Sequence, residues 1–341
     1  MEIKKTKKAV WSLAALSVGF LVPMVFFSAM EKPAAEFLAG RVLSGFSNNI
    51  AASPVLTPKE PFLLVFVGDI MLDRGVENSV FKNASGDFSF LFEKAGFLKE
   101  ADVLFGNLEG SVSVSGSDQG SEISFRFSPA VLLALKSAGF DAVSVANNHA
   151  ADWGKEAFSE SVRLLKNFDI LPVGGGEDKD DAQRPRIVEY NGTKIGFLGF
   201  SDVGPKWLEA GENKEGILNV SDDFSSVIKK ASEQADVLVV SFHFGEEYEP
   251  AANERQKILS KTAIDSGAKI VIGHHPHVMQ EFEDYNGGLI AYSLGNFIFD
   301  QNFSDETMSG AALAVYIEGK EITAVKKIGV NIDQTFRPEE R

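Results

Sequence analysis

Cysteine is absent from all 341 residues. Disulfides, thiolate metal sites, iron–sulfur clusters and thiol catalysis are excluded together. A domain of this size builds its core without disulfides, so the absence leaves the compartment open. Histidine is scarce, with five residues. Positive charge is also in short supply: 33 Lys and Arg face 48 Asp and Glu, for a formal net charge of -15. An acidic surface repels phosphate backbones, which argues against a nucleic-acid partner. Tyr and Trp number 5 and 3 against 28 Phe, which reads as a Phe-rich core. No internal repeat or low-complexity block is evident.

One long apolar run stands out. Residues 10–30 carry no charge, and Lys4, Lys5, Lys7 and Lys8 precede them. At about 1.5 Å per residue such a helix spans a hydrocarbon core of about 30 Å. The lysines predict a cytoplasmic tail over 1–9, a single-pass signal-anchor over 10–30 and everything later outside the cell. A cleaved signal peptide is the alternative; a cut after Ala29 would place Phe27 at the position that favours a small residue. Pro33, Pro54, Pro58 and Pro61 mark residues 31–61 as a linker, with a short helix around 34–43.

From Phe62 onward short apolar runs alternate with helical patterns, the signature of an α/β layered fold with a buried sheet. Phe62–Val67, Val103–Phe105, Ala142–Val145, Ile195–Phe200, Val237–Phe242, Ile270–Ile272 and Leu289–Leu294 read as strands. Val131, Leu132, Leu135 and Ala138 share one helix face, and Phe158, Val162 and Leu165 another. Ala311–Ile317 and Ile322–Ile328 form a hairpin pattern. The domain therefore covers 62–330, and the polar tail 331–341 is expected to fray.

Several apolar runs end in metal-competent residues: Asp69, then Asn107 and Glu109, then Asn148 and His149, then His243, then His274, His275 and His277. All five histidines fall in these segments. In open α/β sheets, ligands bind beyond the strand C-termini. Asp, Glu, Asn and His without Cys form a donor set for Mn, Fe, Zn or Mg. Arg74 and Arg126 are candidates for holding an anionic group, since guanidinium suits phosphate and carboxylate.

In combination and order, Gly68-Asp69-Ile70-Met71-Leu72-Asp73-Arg74, Gly106-Asn107-Leu108-Glu109, Ala146-Asn147-Asn148-His149-Ala150, Gly273-His274-His275-Pro276-His277 and Ser293-Leu294-Gly295-Asn296-Phe297 carry a resemblance. They resemble the poly-γ-glutamate capsule biosynthesis protein CapA family, related to calcineurin-like metallophosphoesterases. The resemblance implies a four-layer α-β-β-α sandwich with one or two divalent ions at a sheet edge. It implies Asp69, Asn107 or Glu109, Asn148, His243, and His275 or His274 with His277 as ligands, and His149 as the group beside the leaving oxygen. Met71 stands where that pattern puts a histidine, Asn107 and Glu109 where it puts a bridging Asp, and Ala150 where it puts an acid.

Two functions follow as expectations. One is a metal-dependent hydrolase or transferase acting on a cell-surface polymer or phosphoester. The other is a non-catalytic part of a capsule synthesis or export complex, binding polymer or membrane proteins through a degenerate site.

Overall fold

In the computed structural model, which describes residues 2–5 and 60–341, the strand Phe62–Ile70 shows how the layers arise. Phe62, Leu64 and Phe66 enter one core, while Leu63, Val65 and Val67 enter another. Side chains alternate along a strand, so a run apolar at every position must be covered on both faces. The second sheet divides likewise: Val237 and Val239 join the core of Phe62, and Leu238, Val240 and Phe242 join a third. Three cores therefore separate four layers, helices on the outside and two facing sheets within. Apart from Tyr292, the largest fully buried side chains are all Phe.

One sheet has eight strands. Its order is Pro338–Glu340, Glu321–Ile332, Ser309–Glu318, Phe62–Ile70, Val103–Leu108, Phe140–Ser144, Leu171–Val173, with Asn296–Ile298 also paired to Phe62–Ile70. The other has seven: Glu2–Lys5, Arg186–Tyr190, Thr193–Ser201, Val237–His243, Ile270–His274, Gly288–Ala291, Phe282–Tyr285. Each sheet has a parallel centre, from Phe62–Ile70 to Leu171–Val173 in the first and from Thr193–Ser201 to Gly288–Ala291 in the second. Parallel pairing puts all the C-terminal ends of a sheet on one edge.

Helices Arg74–Ala84, Val131–Ala138 and Gly154–Asn167 cover the first sheet; Phe224–Ser232 and Glu254–Asp265 cover the second. Their ends are locally encoded. Gly139, at φ 99, closes Val131–Ala138 by donating to the Leu135 carbonyl. Asn253 and Gln256 form a capping box at the start of Glu254–Asp265.

Two expectations change. The run Leu289–Leu294 is one stretch in sequence but not one strand: pairing stops at Ala291, the chain turns at Gly295, and Asn296 joins the other sheet opposite Asp69. The tail 331–341 does not fray. Asp333 accepts hydrogen bonds from the Thr335 and Arg337 amides, and the turn it makes returns Pro338–Glu340 as an edge strand. Glu2–Lys5 pairs in parallel with Arg186–Tyr190, an edge strand that otherwise leaves backbone groups open. Residues 10–30 and the 34–43 helix lie outside the described residues, among which no helix is long and apolar enough to cross a membrane.

Candidate metal centre

Asp69 lies near the end of its strand, opposite Asn107 on one side and Asn296 on the other. Gly68 makes that arrangement possible through close approach rather than a turn: a Cβ there would sit 1.9 Å from the Gly295 carbonyl oxygen. In the second sheet His243 and His274 end adjacent strands and face each other in register. The C-terminal edges of both sheets thus deliver their polar residues to one place.

Asp69 is fully buried and collects donors. It accepts from Asn107 Nδ2 at 2.9 Å and from the His275 amide at 3.2 Å. His274 Nδ1 lies 3.1 Å from its Oδ1 and His277 Nδ1 3.4 Å from its Oδ2. Burial would raise its pKa, but the hydrogen bonds and charges of His274 and His277 hold it well below the usual carboxylate range. Glu109, equally buried, moves the other way: burial pushes it well above its usual value, against the pull of His277. His277 is raised to about 9 in spite of its burial, by the charge of Glu109 and the hydrogen bond to Asp69. His277 Nδ1 also lies 3.0 Å from Asn296 Oδ1.

This pattern fits a divalent cation. Ligand atoms of Asp69, Glu109 and His277, all buried, lie within 4.8 Å of one another. Among the described residues, Glu109 Oε1, Asn147 Oδ1 and His275 Nδ1 are buried without a hydrogen-bond partner, and leaving such groups unmet is costly. Asp69 is held ionised, whereas Glu109 and His277 both favour their protonated forms, and a cation would take the place those protons fill.

The remaining candidates divide. Asn148 Oδ1 accepts from His243 Nε2 at 2.7 Å, so these two residues, implied as ligands of one ion, are bonded to each other. His243 Nδ1 lies 3.4 Å from Asn107 Nδ2, and burial together with nearby His275 pushes His243 well below its usual pKa, which keeps the ring neutral. His275 is likewise lowered, to about 4, by burial and by His277. His149 stands at the rim of the cluster, its Nε2 3.9 Å from Glu109 Oε1. Arg74 is half-exposed, pairs with Asp300 and lies over the Phe125 ring at 4.8 Å, the ring that also packs on His149. Arg126 stacks over Trp153 at 3.5 Å.

Sequence reasoning missed four partners. Asp152, three residues after His149, has its Oδ2 2.6 Å from His149 Nδ1 and so supplies the acid that Ala150 lacks. Asn147 Nδ2 donates to Asn107 Oδ1 and to the Leu108 carbonyl, pinning the His149 loop to its neighbouring strand. Asn296 meets His277, and Glu247 reaches His275 and His277 from another loop. The Asn296 signal was present in the Ser293–Phe297 motif; the two acids had none in so acidic a chain.

The family described as bacterial capsule synthesis protein PGA_cap matches residues 63–301. The capsule biosynthesis protein CapA of Bacillus anthracis is 32% identical over 286 residues, covering 81% of this chain and 68% of that protein. The PGA biosynthesis protein CapA of Bacillus subtilis is 36% identical over 243 residues, covering 70% of this chain and 63% of that protein. About a third of each relative therefore lies outside the match. Among solved structures, a Staphylococcus aureus protein described as a candidate 5'-nucleotidase, in complex with alpha-ketoglutarate, aligns with a TM-score of 0.50. It is 16% identical over 81% of this chain and 56% of that one, a likeness of fold alone.

Proposed function

The chain belongs to the bacterial capsule synthesis protein family, and from that premise we propose that it is a membrane-anchored, extracellular enzyme of cell-surface polymer synthesis, with poly-γ-glutamate as the polymer. In this reading the centre carries out metal-dependent hydrolysis or group transfer on a polymer or phosphoester. The anchor is residues 10–30, and its partners are membrane proteins of capsule synthesis or export. The observation that carries the enzymatic reading is the buried Asp69, Glu109 and His277 cluster with the His149–Asp152 pair beside it.

Asp69, Glu109 and His277 would hold a Mn, Fe, Zn or Mg ion, with Asn107, Asn148, His243, His274 and His275 around them. Such an ion lowers the pKa of bound water and polarises a phosphoryl or acyl oxygen. Asp152 holds His149 through Nδ1, which leaves Nε2 as the nitrogen directed at the cluster. His149 Nε2 is therefore the atom that gives a proton to the leaving oxygen. Arg74 and Arg126 hold an anionic group of the substrate.

One observation favours the second reading, a binding component without turnover. Met71 Sδ accepts the Asp73 amide at 3.2 Å, so position 71 adds no nitrogen donor to the centre. A phosphoester panel tested on the full chain, with and without chelator, separates the two. Metal-dependent turnover should fall by about 10² to 10⁴ in His149→Ala while the metal content holds. Absence of turnover with every metal, combined with loss of polymer in cells carrying His149→Ala, selects the binding role instead.

A further inference from the structure

Two exposed rings stand beside the centre. Tyr248 lies on the loop after the strand Val237–His243, and Phe303 in the segment between Asn296–Ile298 and Ser309–Glu318. They are 41% and 64% exposed and meet edge to face, with ring centres 5.1 Å apart. The Tyr248 ring also lies 6.1 Å from the ring of buried His277. A single exposed aromatic is ordinary, whereas a pair beside a buried polar centre marks a contact surface.

The pair is held in place. The Tyr248 amide donates to the Pro276 carbonyl at 2.8 Å, and Gln301 Nε2 donates to the Tyr248 phenol oxygen at 3.2 Å. Gln301 Oε1 accepts from Asn296 Nδ2 at 3.0 Å, and Asn296 is the residue that meets His277. One amide side chain therefore ties the exposed ring to the centre. The residue before it, Asp300, pairs with Arg74 and accepts from the Gly75 amide at 3.0 Å. Arg74 and Tyr248 are thus fixed by successive residues, and both hold left-handed backbone, at φ 52 and φ 65. Strain of that kind persists where the surroundings over-determine it, and it gathers at ligand clamps.

Charge around the rings selects the occupant. Glu246, Glu247 and Glu249 flank Tyr248 in the chain, and Asp305 and Glu306 follow Phe303, all of them exposed. A run of carboxylates laid over the rings would meet like charge. A ligand with one anionic group avoids this, because Arg74 can take that group and the rings need only an uncharged body.

We propose that Tyr248 and Phe303 form a stacking subsite for the alcohol part of a phosphoester, and that this part is an uncharged ring with a flat face, either a sugar or a nucleobase. Arg74 takes the phosphoryl side, and Gln301 is a positioning residue for Tyr248. The inference rests on the phosphoester reading above and narrows it: the rings do not hold the polyglutamate chain itself.

Calorimetry on the full chain with Mn(II) present, using phenyl phosphonate and methyl phosphonate as inert probes, tests this. Wild type should bind the phenyl probe at least about tenfold more tightly, as stacking on an aromatic side chain implies. Tyr248→Ala and Phe303→Ala should each bring the two affinities within about threefold of one another, and Tyr248→Phe, which keeps the ring, should retain the preference. Glucose 1-phosphate and adenosine 5'-phosphate then compete against the phenyl probe, and the stronger competitor names the ring. A short γ-linked glutamate oligomer should not compete. No binding of the phenyl probe, equal affinities in wild type, an undiminished preference in both alanine variants, competition by neither ring phosphate, or competition by the oligomer overturns the subsite. Neither phosphonate is hydrolysed, so absence of turnover bears only on the enzymatic reading, and turnover without a ring preference sinks the subsite alone.

Discussion

His275 shows how one residue carries both strain and chemistry. Its φ of 99 lies where a side chain with a Cβ costs about 1 to 3 kcal/mol. Glycine bears no such cost, which reverses its usual disadvantage to alanine. His275→Gly should therefore be more stable than His275→Ala by about 1 kcal/mol, by urea denaturation of metal-free protein, although both lose the imidazole. Equal stabilities would mean that the loop relaxes out of the left-handed region once the ring is gone. The histidines were legible in the sequence because each lies at or just after a strand end or after the Asn147-Asn148 pair, and strand ends are where open sheets place ligands. Asp152 and Glu247 were not, since an acid gains its meaning only from the imidazole that folding brings to it. Met71, Asn107 and Ala150 read as losses, and the last of these is made good by Asp152 through space.

At the scale of elements, the centre depends on how closely strands approach. Gly68→Ala would drive a methyl to 1.9 Å from the Gly295 carbonyl and part the strands that carry Asp69 and Asn296. It should cost at least about 3 kcal/mol, or prevent folding, as judged by thermal and urea melting. A second dependence lies at the far edge. Buried Arg186 holds the Asp181 carboxylate at 2.8 Å and the carbonyls of Pro172 and Gly175, tying the two sheets' edges through one side chain. Burial would raise the Asp181 pKa, but Arg186 brings it down to about 2 from an ordinary 3.8. A depressed carboxylate stabilises above its unfolded pKa and loses that effect as pH falls through the folded one. The stability difference between wild type and Asp181→Asn should be flat above about pH 5. It should then shrink by about 2 kcal/mol toward pH 2. A difference independent of pH would remove the ion pair as its cause. Strands and the terminal hairpin were legible because runs buried on both faces are long and apolar. The sheet change at Gly295 was not, since an apolar run looks the same whether or not it leaves its sheet. The returning strand Pro338–Glu340 is polar because it lies at an edge, and so reads as tail.

Over the whole molecule, the candidate ligands are shared between the sheets. Asp69, Asn107 and Glu109 come from the eight-stranded sheet; His243, His274, His275 and His277 come from the seven-stranded one and the loop after it. An ion bound by both sets acts only on the folded state, so its binding adds to stability by mass action. A hundredfold excess over the dissociation constant adds about 2.7 kcal/mol. The melting temperature should rise by roughly 5 °C with Mn(II) or Zn(II) and return on chelation. No rise with any divalent metal would separate the cluster from metal binding altogether. Asp69 and His275 are 206 positions apart in the chain. Closing so long a loop is what a cystine accomplishes in other folds, where the restricted unfolded ensemble is worth on the order of 5 kcal/mol. With no cysteine to join its halves, the chain would leave the task to a reversible cross-link once an ion is bound, and metal starvation would then loosen the seam between its halves along with any chemistry performed there.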